Sequence, residues 1–254
     1  ILFDEGKISM VQEDLNNDFN SLNIKNLDYQ IKEHSFMLDG INLKLAKGER
    51  VAICGKNGSG KSILTKCILD DLNLDPNSCF VVDENKKINL DSSNYIAYAE
   101  QSPVLFNDTI TSNLVLGRDI SLDEVKKALK TVCLDLEIDA FADKENTKIG
   151  IGGQKLSGGQ KQRLIIARML LNPSPIKVID DFSSSLDSTT ASKVWANLTS
   201  DKNLSLLVIS NSIEILKNVN KIYVLEDGRI INEGSFDELL HQSEYLREVI
   251  NSEV

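Results

Sequence analysis

The sequence predicts an α/β fold: a mostly parallel core sheet, an antiparallel β layer and a helical subdomain in one unit. Three observations carry this expectation. The apolar runs Arg50 to Cys54, Ile176 to Ile179 and Leu206 to Ile209 have the length of buried parallel strands. The first of them leads through a glycine-rich loop into a segment of helical periodicity. Upstream, Leu22 to Leu27 and Met37 to Leu45 alternate as antiparallel strands do.

Taken in order, residues 1–21 are mostly polar, with Asn and Asp clustered between Asp14 and Asn20, and read as a tether. The two alternating stretches follow, with Ala46-Lys47-Gly48-Glu49 as the turn into Arg50 to Cys54. From Ser62 to Leu72, the positions Leu64, Cys67, Ile68 and Leu72 have helical spacing. Between Ser121 and Cys133, Leu122, Val125, Leu129 and Val132 share a helical face, and Ser121 with Glu124 forms a capping box. A helical stretch around Thr190 to Leu198 separates the last two core strands. Ser235 with Glu238 is expected to cap a single final helix.

The bulk properties exclude several classes. A chain of 254 residues with 41% hydrophobic and 26% charged side chains can bury a sizeable core. No apolar run reaches the roughly 18 residues needed to span a bilayer. A net charge of −10 disfavours a duplex-binding surface, and no nucleic-acid partner is expected. The four cysteines Cys54, Cys67, Cys79 and Cys133 lack metal-ligand spacing and read as reduced, mostly core-filling residues. There is no basic segment followed by an apolar stretch at the start, hence no recognisable secretory signal.

The chemistry concentrates in Gly55-Lys56-Asn57-Gly58-Ser59-Gly60-Lys61-Ser62, a GxxxxGK[ST] loop between a strand and a helix. Gly55, Gly58 and Gly60 let the backbone fold so that amides, including those of Asn57 and Ser59, point inward at phosphate oxygens. The helix beginning near Lys61 adds its positive dipole end. Lys61 is placed to reach the β and γ phosphates of ATP. The Ser62 hydroxyl suits Mg²⁺, a hard cation that takes oxygen ligands.

A second anion site is legible at Leu156-Ser157-Gly158-Gly159-Gln160, which opens the helical stretch Lys161 to Leu171 with unpaired amides. One nucleotide does not easily need two helix-terminal phosphate sites in a single chain. A composite site shared by two copies of such a domain is the economical inference. LSGGQ together with the phosphate loop resembles the ATP-binding cassette (ABC) family, over residues 22–250.

The resemblance implies a phosphate-loop NTPase core with a helical signature subdomain at about residues 102–172. It implies a head-to-tail dimer in which Ser157, Gly158 and Gly159, with Gln160 beside them, contact ATP held by the partner. Tyr29 resembles the aromatic that stacks on adenine, an edge or core tyrosine being the alternative. Gln101 resembles the glutamine that touches Mg²⁺ and responds to the transport domain, a solvated loop amide being the alternative. Asp180 ends the strand that would hold a Mg²⁺-bound water. Ser184-Ser185-Leu186-Asp187 is similar to the loop that follows it in the family. The stretch Val104 to Ile110, with Asn113 and Gly117, and the stretch Thr147 to Gly153 are similar to the exporter branch.

Four positions depart from the family pattern. Ile63 replaces a Thr, and Ile151 replaces a Glu facing the transport domain. Asp181 replaces the Glu that orients attacking water, and Asn211 replaces the histidine that contacts the γ-phosphate. The only histidines, His34 and His241, do not follow the Leu206 strand and are expected at the surface. Shortening the base by one methylene costs roughly a hundredfold in rate. The set Gln101, Asp181 and Asn211 is therefore expected to hold ATP and hydrolyse it slowly.

The resulting expectation is the nucleotide-binding domain of an ABC exporter at the cytoplasmic face of a membrane, with Mg²⁺ and ATP as cofactors. Its partners are a second cassette, a heterodimer being favoured over a homodimer, and an exporter transmembrane domain. Ile1-Leu2-Phe3-Asp4-Glu5 is similar to the segment by which exporters enter the cassette, so residues 1–21 would link it to a preceding transmembrane region; a free-standing extension is the alternative. A non-catalytic regulatory cassette is the second reading. DNA-maintenance cassettes fit poorly, because they interrupt the cassette with a long coiled coil. Translation-associated cassettes fit poorly as well, because they carry two cassettes and basic linkers.

Overall fold

The computed structural model describes residues 19–30, 37–69, 78–83, 86–89 and 95–253. In chain order the strands are β1 (Phe19–Gln30), β2 (Met37–Ala46), β3 (Arg50–Cys54), β4 (Cys79–Asp83), β5 (Lys86–Asn89), β6 (Ile96–Ala99), β7 (Ile176–Asp180), β8 (Ser205–Ile209), β9 (Lys221–Glu226) and β10 (Arg229–Gly234). They form two sheets. One has the order β2-β1-β4-β5 and is antiparallel throughout. The other has the order β10-β9-β3-β8-β7-β6 and is parallel except for its β9-β10 hairpin.

The parallel strands are largely apolar because both of their faces are covered. On β3, Ala52 and Cys54 face one core while Val51 and Ile53 face the other; on β9, Ile222 and Val224 oppose Tyr223 and Leu225 in the same way. The core on one face lies under the antiparallel layer, with Leu22, Ile24 and Leu43. The Tyr223 hydroxyl ties the layers by accepting from the Lys44 amide at 3.0 Å.

The opposite core is closed by helices. These are α1 (Lys61–Ile68), α2 (Ile110–Val115), α3 (Leu122–Thr131), α4 (Asp135–Asp139), α5 (Gly158–Leu171), α6 (Ser188–Ser200), α7 (Ile213–Leu216), α8 (Phe236–Gln242) and α9 (Glu244–Glu253). Of them α1 lies toward the antiparallel layer, with Leu64, Cys67 and Ile68 in that core. The helical insertion α2 to α5 packs through Leu114, Val125, Leu129, Leu164 and Ile165. Ser121 and Glu124 make the expected capping box at the start of α3.

Several expectations are corrected in detail. β1 begins at Phe19, inside the stretch read as a tether, because Phe19 is buried and pairs with β4. The rest of residues 1–18, including Ile1 to Glu5, lies outside the described residues, as do His34 and Leu72. The single final helix is two. Ser243 ends α8, with its amide bonded to the Leu239 carbonyl at 2.8 Å, and its hydroxyl accepts from the Leu246 amide at 3.3 Å. A buried serine that terminates one helix and caps the next explains the break. The hairpin β9-β10 carries no expectation from sequence; its turn is Asp227-Gly228, both at positive φ, as a tight hairpin requires.

Candidate functional site

The phosphate loop runs from Gly55 to Ser62 between β3 and α1. Its course is fixed by close approaches that only glycine permits. A Cβ on Gly55 would lie 2.1 Å from the Leu225 carbonyl oxygen of β9. The hairpin turn braces the same loop, the Gly228 amide donating to the Ser59 carbonyl at 3.0 Å. Gly60 caps α1 from the left-handed region, leaving the first amides of the helix directed at the loop.

Lys61 Nζ donates to the Gly55 and Lys56 carbonyls at 2.6 and 2.9 Å. Burial pulls its ammonium below the usual lysine range, opposed by the negative potential of Cys54, Asp180 and Asp181. The buried Ser59 hydroxyl has no hydrogen-bond partner. An unpaired buried hydroxyl beside a lysine and a row of amides is what a phosphate oxygen would satisfy.

The loop opens onto a cavity of about 700 Å³. Asn57, Gly58, Gly60, Lys61, Ser62 and Ile63 line one side; Gln101, Asp180, Asp181 and Asn211 face them. Asp180 ends β7, and burial raises its carboxyl above the usual range, while a bond from Tyr98 lowers it and Asp181 raises it. The Tyr98 hydroxyl donates to Asp180 Oδ2 at 3.2 Å. Asp181 stands at a φ of 41°, in the left-handed region, and accepts from Gln101 Nε2 at 3.3 Å. Asn211 Oδ1 accepts from the Gly55 amide at 3.1 Å.

Three oxygen donors thus line one cavity, Ser62 on the loop that would hold a phosphate chain and Asp180 and Gln101 facing it. They fit a hard, largely hydrated cation such as Mg²⁺. Among the described residues there is no cluster of three or more His, Cys, Asp and Glu side chains with metal-binding geometry, so phosphate and water would supply most of the coordination.

The signature lies outside this cavity. Ser157 caps α5, its hydroxyl accepting from the Gln160 amide at 3.2 Å and its amide donating to Gln160 Oε1 at 2.8 Å. Ser157 and Gly158 are exposed. A Cβ on Gly159 would meet the Ser185 carbonyl at 3.0 Å, which keeps the loop after β7 close beneath the signature. Gln162 of α5 reaches the Glu100 carbonyl at 3.1 Å, linking this helix to the Gln101 loop. Asp187 caps α6 by accepting from Thr190, and these bonds hold its carboxyl low. Tyr29 lies on β1, half-buried against the core of the antiparallel layer, and does not line the cavity.

The C-terminal helix adds cavity residues that carry no expectation from sequence. Tyr245 and Val249 of α9 form part of the wall. Burial and the neighbouring Cys54 push the Tyr245 phenol up to about 12, opposed by the Gly55 amide. One turn along, Glu248 pairs with Lys56 of the phosphate loop at 3.0 Å. Their i, i+4 spacing reads as an ordinary core face. Ile151 and Phe106 are exposed on neighbouring segments of the helical insertion, which are joined by the Ile149 amide to the Asp108 carbonyl at 3.0 Å. His241 is exposed, as expected.

A mostly parallel sheet with a phosphate loop facing an acidic strand end defines a phosphate-loop α/β nucleotide-binding protein, here with an added antiparallel layer and a helical insertion. The chain belongs to the ABC transporter family, which residues 38–184 match. An ATP-dependent lipid A-core flippase of Desulfotalea psychrophila is 36% identical over 208 residues, covering 80% of this chain and 36% of the relative. One of Burkholderia pseudomallei is 38% identical over 210 residues, covering 81% and 35%. The structure of a bacterial Atm1-family ABC exporter with ATP bound superposes with a TM-score of 0.82 at 28% identity, covering 93% of this chain and 42% of that one. The chain therefore spans little more than a third of the curated relatives it matches. No helix among the described residues is long and apolar enough to cross a membrane.

Proposed function

We propose that the chain is the nucleotide-binding domain of an exporter, binding Mg·ATP at its phosphate loop and lending its signature to a second cassette. The single observation that carries this reading is spatial. The phosphate loop and the Asp180 strand end share one cavity, whereas the helix start from Ser157 to Gln160, with Ser157 and Gly158 exposed, does not line it. Each cassette of a head-to-tail pair would complete the other's site.

In this mechanism the loop amides and Lys61 hold the β and γ phosphates, Lys61 leaving the Gly55 and Lys56 carbonyls to do so. Ser62 and Asp180 would hold Mg²⁺, which when bound neutralises charge on the phosphates. Gln101 and Asp181, bonded to each other, face the position from which water attacks. Asp181 is one methylene short of a glutamate, and Asn211 is neither acid nor base near neutral pH, so slow hydrolysis is expected at this site. Tyr29, outside this cavity, would meet the adenine end of the nucleotide, and Asp187 would lie at the cassette interface. With the signature intact, a heterodimer follows: one slow site here, one fast site completed by this LSGGQ.

Dimer closure would then do work on transmembrane helices at the cytoplasmic face of a membrane, reached through the residues that precede β1. Exposed Ile151 and Phe106 make that contact apolar on this side. The names of the relatives make an amphipathic lipid the first cargo to test.

The test is nucleotide binding followed by single-turnover hydrolysis. Magnesium-dependent binding of trinitrophenyl-ATP that Lys61→Ala abolishes supports the reading; its absence ends it. Fast, symmetric turnover at both sites of the dimer would remove the slow-site assignment. Binding without stimulated hydrolysis in any partner combination favours the second reading, a regulatory cassette.

A further inference from the structure

We propose that Tyr98 is a positioning residue for the metal-side carboxylate: its phenol fixes Asp180 so that the remaining oxygen lone pairs face the phosphate loop. The inference deepens the Mg·ATP reading and rests on it. β6 and β7 are parallel, with Tyr98 beside Val178 and Ala99 beside Ile179, so the Tyr98 side chain reaches the end of β7 across the strand pair. Its hydroxyl donates to Asp180 Oδ2 at 3.2 Å, while its ring is half-buried against the core under the antiparallel layer.

The arrangement is selective between neighbours. Asp180 and Asp181 are adjacent carboxylates at one cavity wall, and either has the charge to attract a cation. Two donors three residues apart divide them, Tyr98 serving Asp180 and Gln101 serving Asp181 at 3.3 Å. The Tyr98 donor is a neutral group anchored in the core, whereas the Gln101 side chain is on an exposed loop. An aspartate turns readily about its last torsion, which has a broad preference. A core-anchored donor on one oxygen removes that freedom without adding a charge that would compete with the cation. Hydrogen-bond partners of metal-binding carboxylates typically contribute tenfold or more to metal affinity.

The experiment titrates Mg²⁺ against the full 254-residue chain at fixed trinitrophenyl-ATP, beside nucleotide binding in excess chelator. Tyr98→Phe keeps the ring and removes the hydroxyl. It is expected to raise the Mg²⁺ midpoint about tenfold, the lower end of the range for such partners, with metal-free nucleotide affinity unchanged. In an Asp180→Asn background the same substitution should change neither quantity. A wild-type midpoint in Tyr98→Phe overturns the inference. Equal losses with and without metal overturn it too, since they reveal packing alone, as does an additive effect on Asp180→Asn. Should the Phe variant not fold, Tyr98→Leu takes its place with the same two outcomes. A wild-type chain without Mg²⁺-dependent nucleotide binding overturns the nucleotide reading and this inference with it; a competent wild type beside an unaffected variant overturns the inference alone.

Discussion

Asn211 Oδ1 accepts a hydrogen bond from the Gly55 amide at 3.1 Å, joining the segment after β8 to the first residue of the phosphate loop. The side chain expected to stand in place of the family's histidine is thus engaged in holding the loop. Its amide is neither acid nor base near neutral pH.

Restoring Asp181→Glu together with Asn211→His is therefore expected to accelerate single-turnover ATP hydrolysis by about a hundredfold, with the larger share from the longer carboxylate. Asn211→His alone should do little, because on the slow-site proposal the shorter Asp181 carboxylate still limits the rate. Rapid-quench measurement on the dimer checks this. An unchanged rate in the double variant would place the slow step away from these side chains.

Gly55→Ala should destabilise the fold rather than merely weaken nucleotide binding. The new methyl would lie 2.1 Å from the Leu225 carbonyl and 2.9 Å from Ser59 Oγ, at a φ of 152°. Displacing a strand backbone to relieve such a contact should cost about 3 kcal/mol or more. Gly58→Ala meets open space and bears only the strain of its positive φ, about 1–2 kcal/mol. Urea unfolding of both variants without nucleotide should separate them in that order.

The phosphate loop and the signature were legible because their chemistry is local: fixed spacing of glycine, lysine and hydroxyl beside a strand and a helix. The strands β3, β7 and β8 were legible as apolar runs because both faces are buried. β6 was not, because Ile96-Ala97-Tyr98-Ala99 is short and half alanine, too weak a pattern to read. The Tyr98 bond to Asp180 spans 82 positions and exists only through strand pairing. β9 did carry a signal, the apolar run Ile222 to Leu225 ahead of the turn residues Asp227-Gly228, whereas β10 alternates only between exposed and half-buried positions. Tyr245 has helical core spacing, and periodicity does not reveal that its face ends at the phosphate cavity.

Ser157 offers a way to separate folding from cassette pairing. Ser157→Ala removes a helix cap and should cost about 1 kcal/mol. Ser157→Asp keeps the cap, since its carboxylate can accept the same Gln160 amide, and favours the helix dipole. It also places a negative charge where the partner's γ-phosphate would sit. The Asp variant should melt near the wild type and bind nucleotide normally, yet lose ATP-dependent dimerisation in sedimentation. Retained dimerisation would remove the signature from the interface.

Lys177 gives the clearest pH prediction. It sits on β7, 6% exposed, with Nζ donating to the Asn172 carbonyl and with no carboxylate partner among the described residues. Burial, then the neighbouring Arg118, pull its pKa from the usual 10.5 to about 7. The unfolded chain therefore binds more protons than the folded one between these values. Stability from this group rises with pH through that window and is flat outside it. Below about pH 7 the ammonium is charged in both states, and the full cost of burying it is present. Lys177→Met has similar shape and no charge, so it should stabilise the protein near pH 6.5 and lose part of the gain toward pH 9. The loss of the Asn172 donor subtracts about 1 kcal/mol at every pH, because an unpaired carbonyl does not titrate here. Denaturant unfolding at several pH values should show the wild-type slope flattening in the variant; parallel curves would mean that Lys177 stays charged throughout.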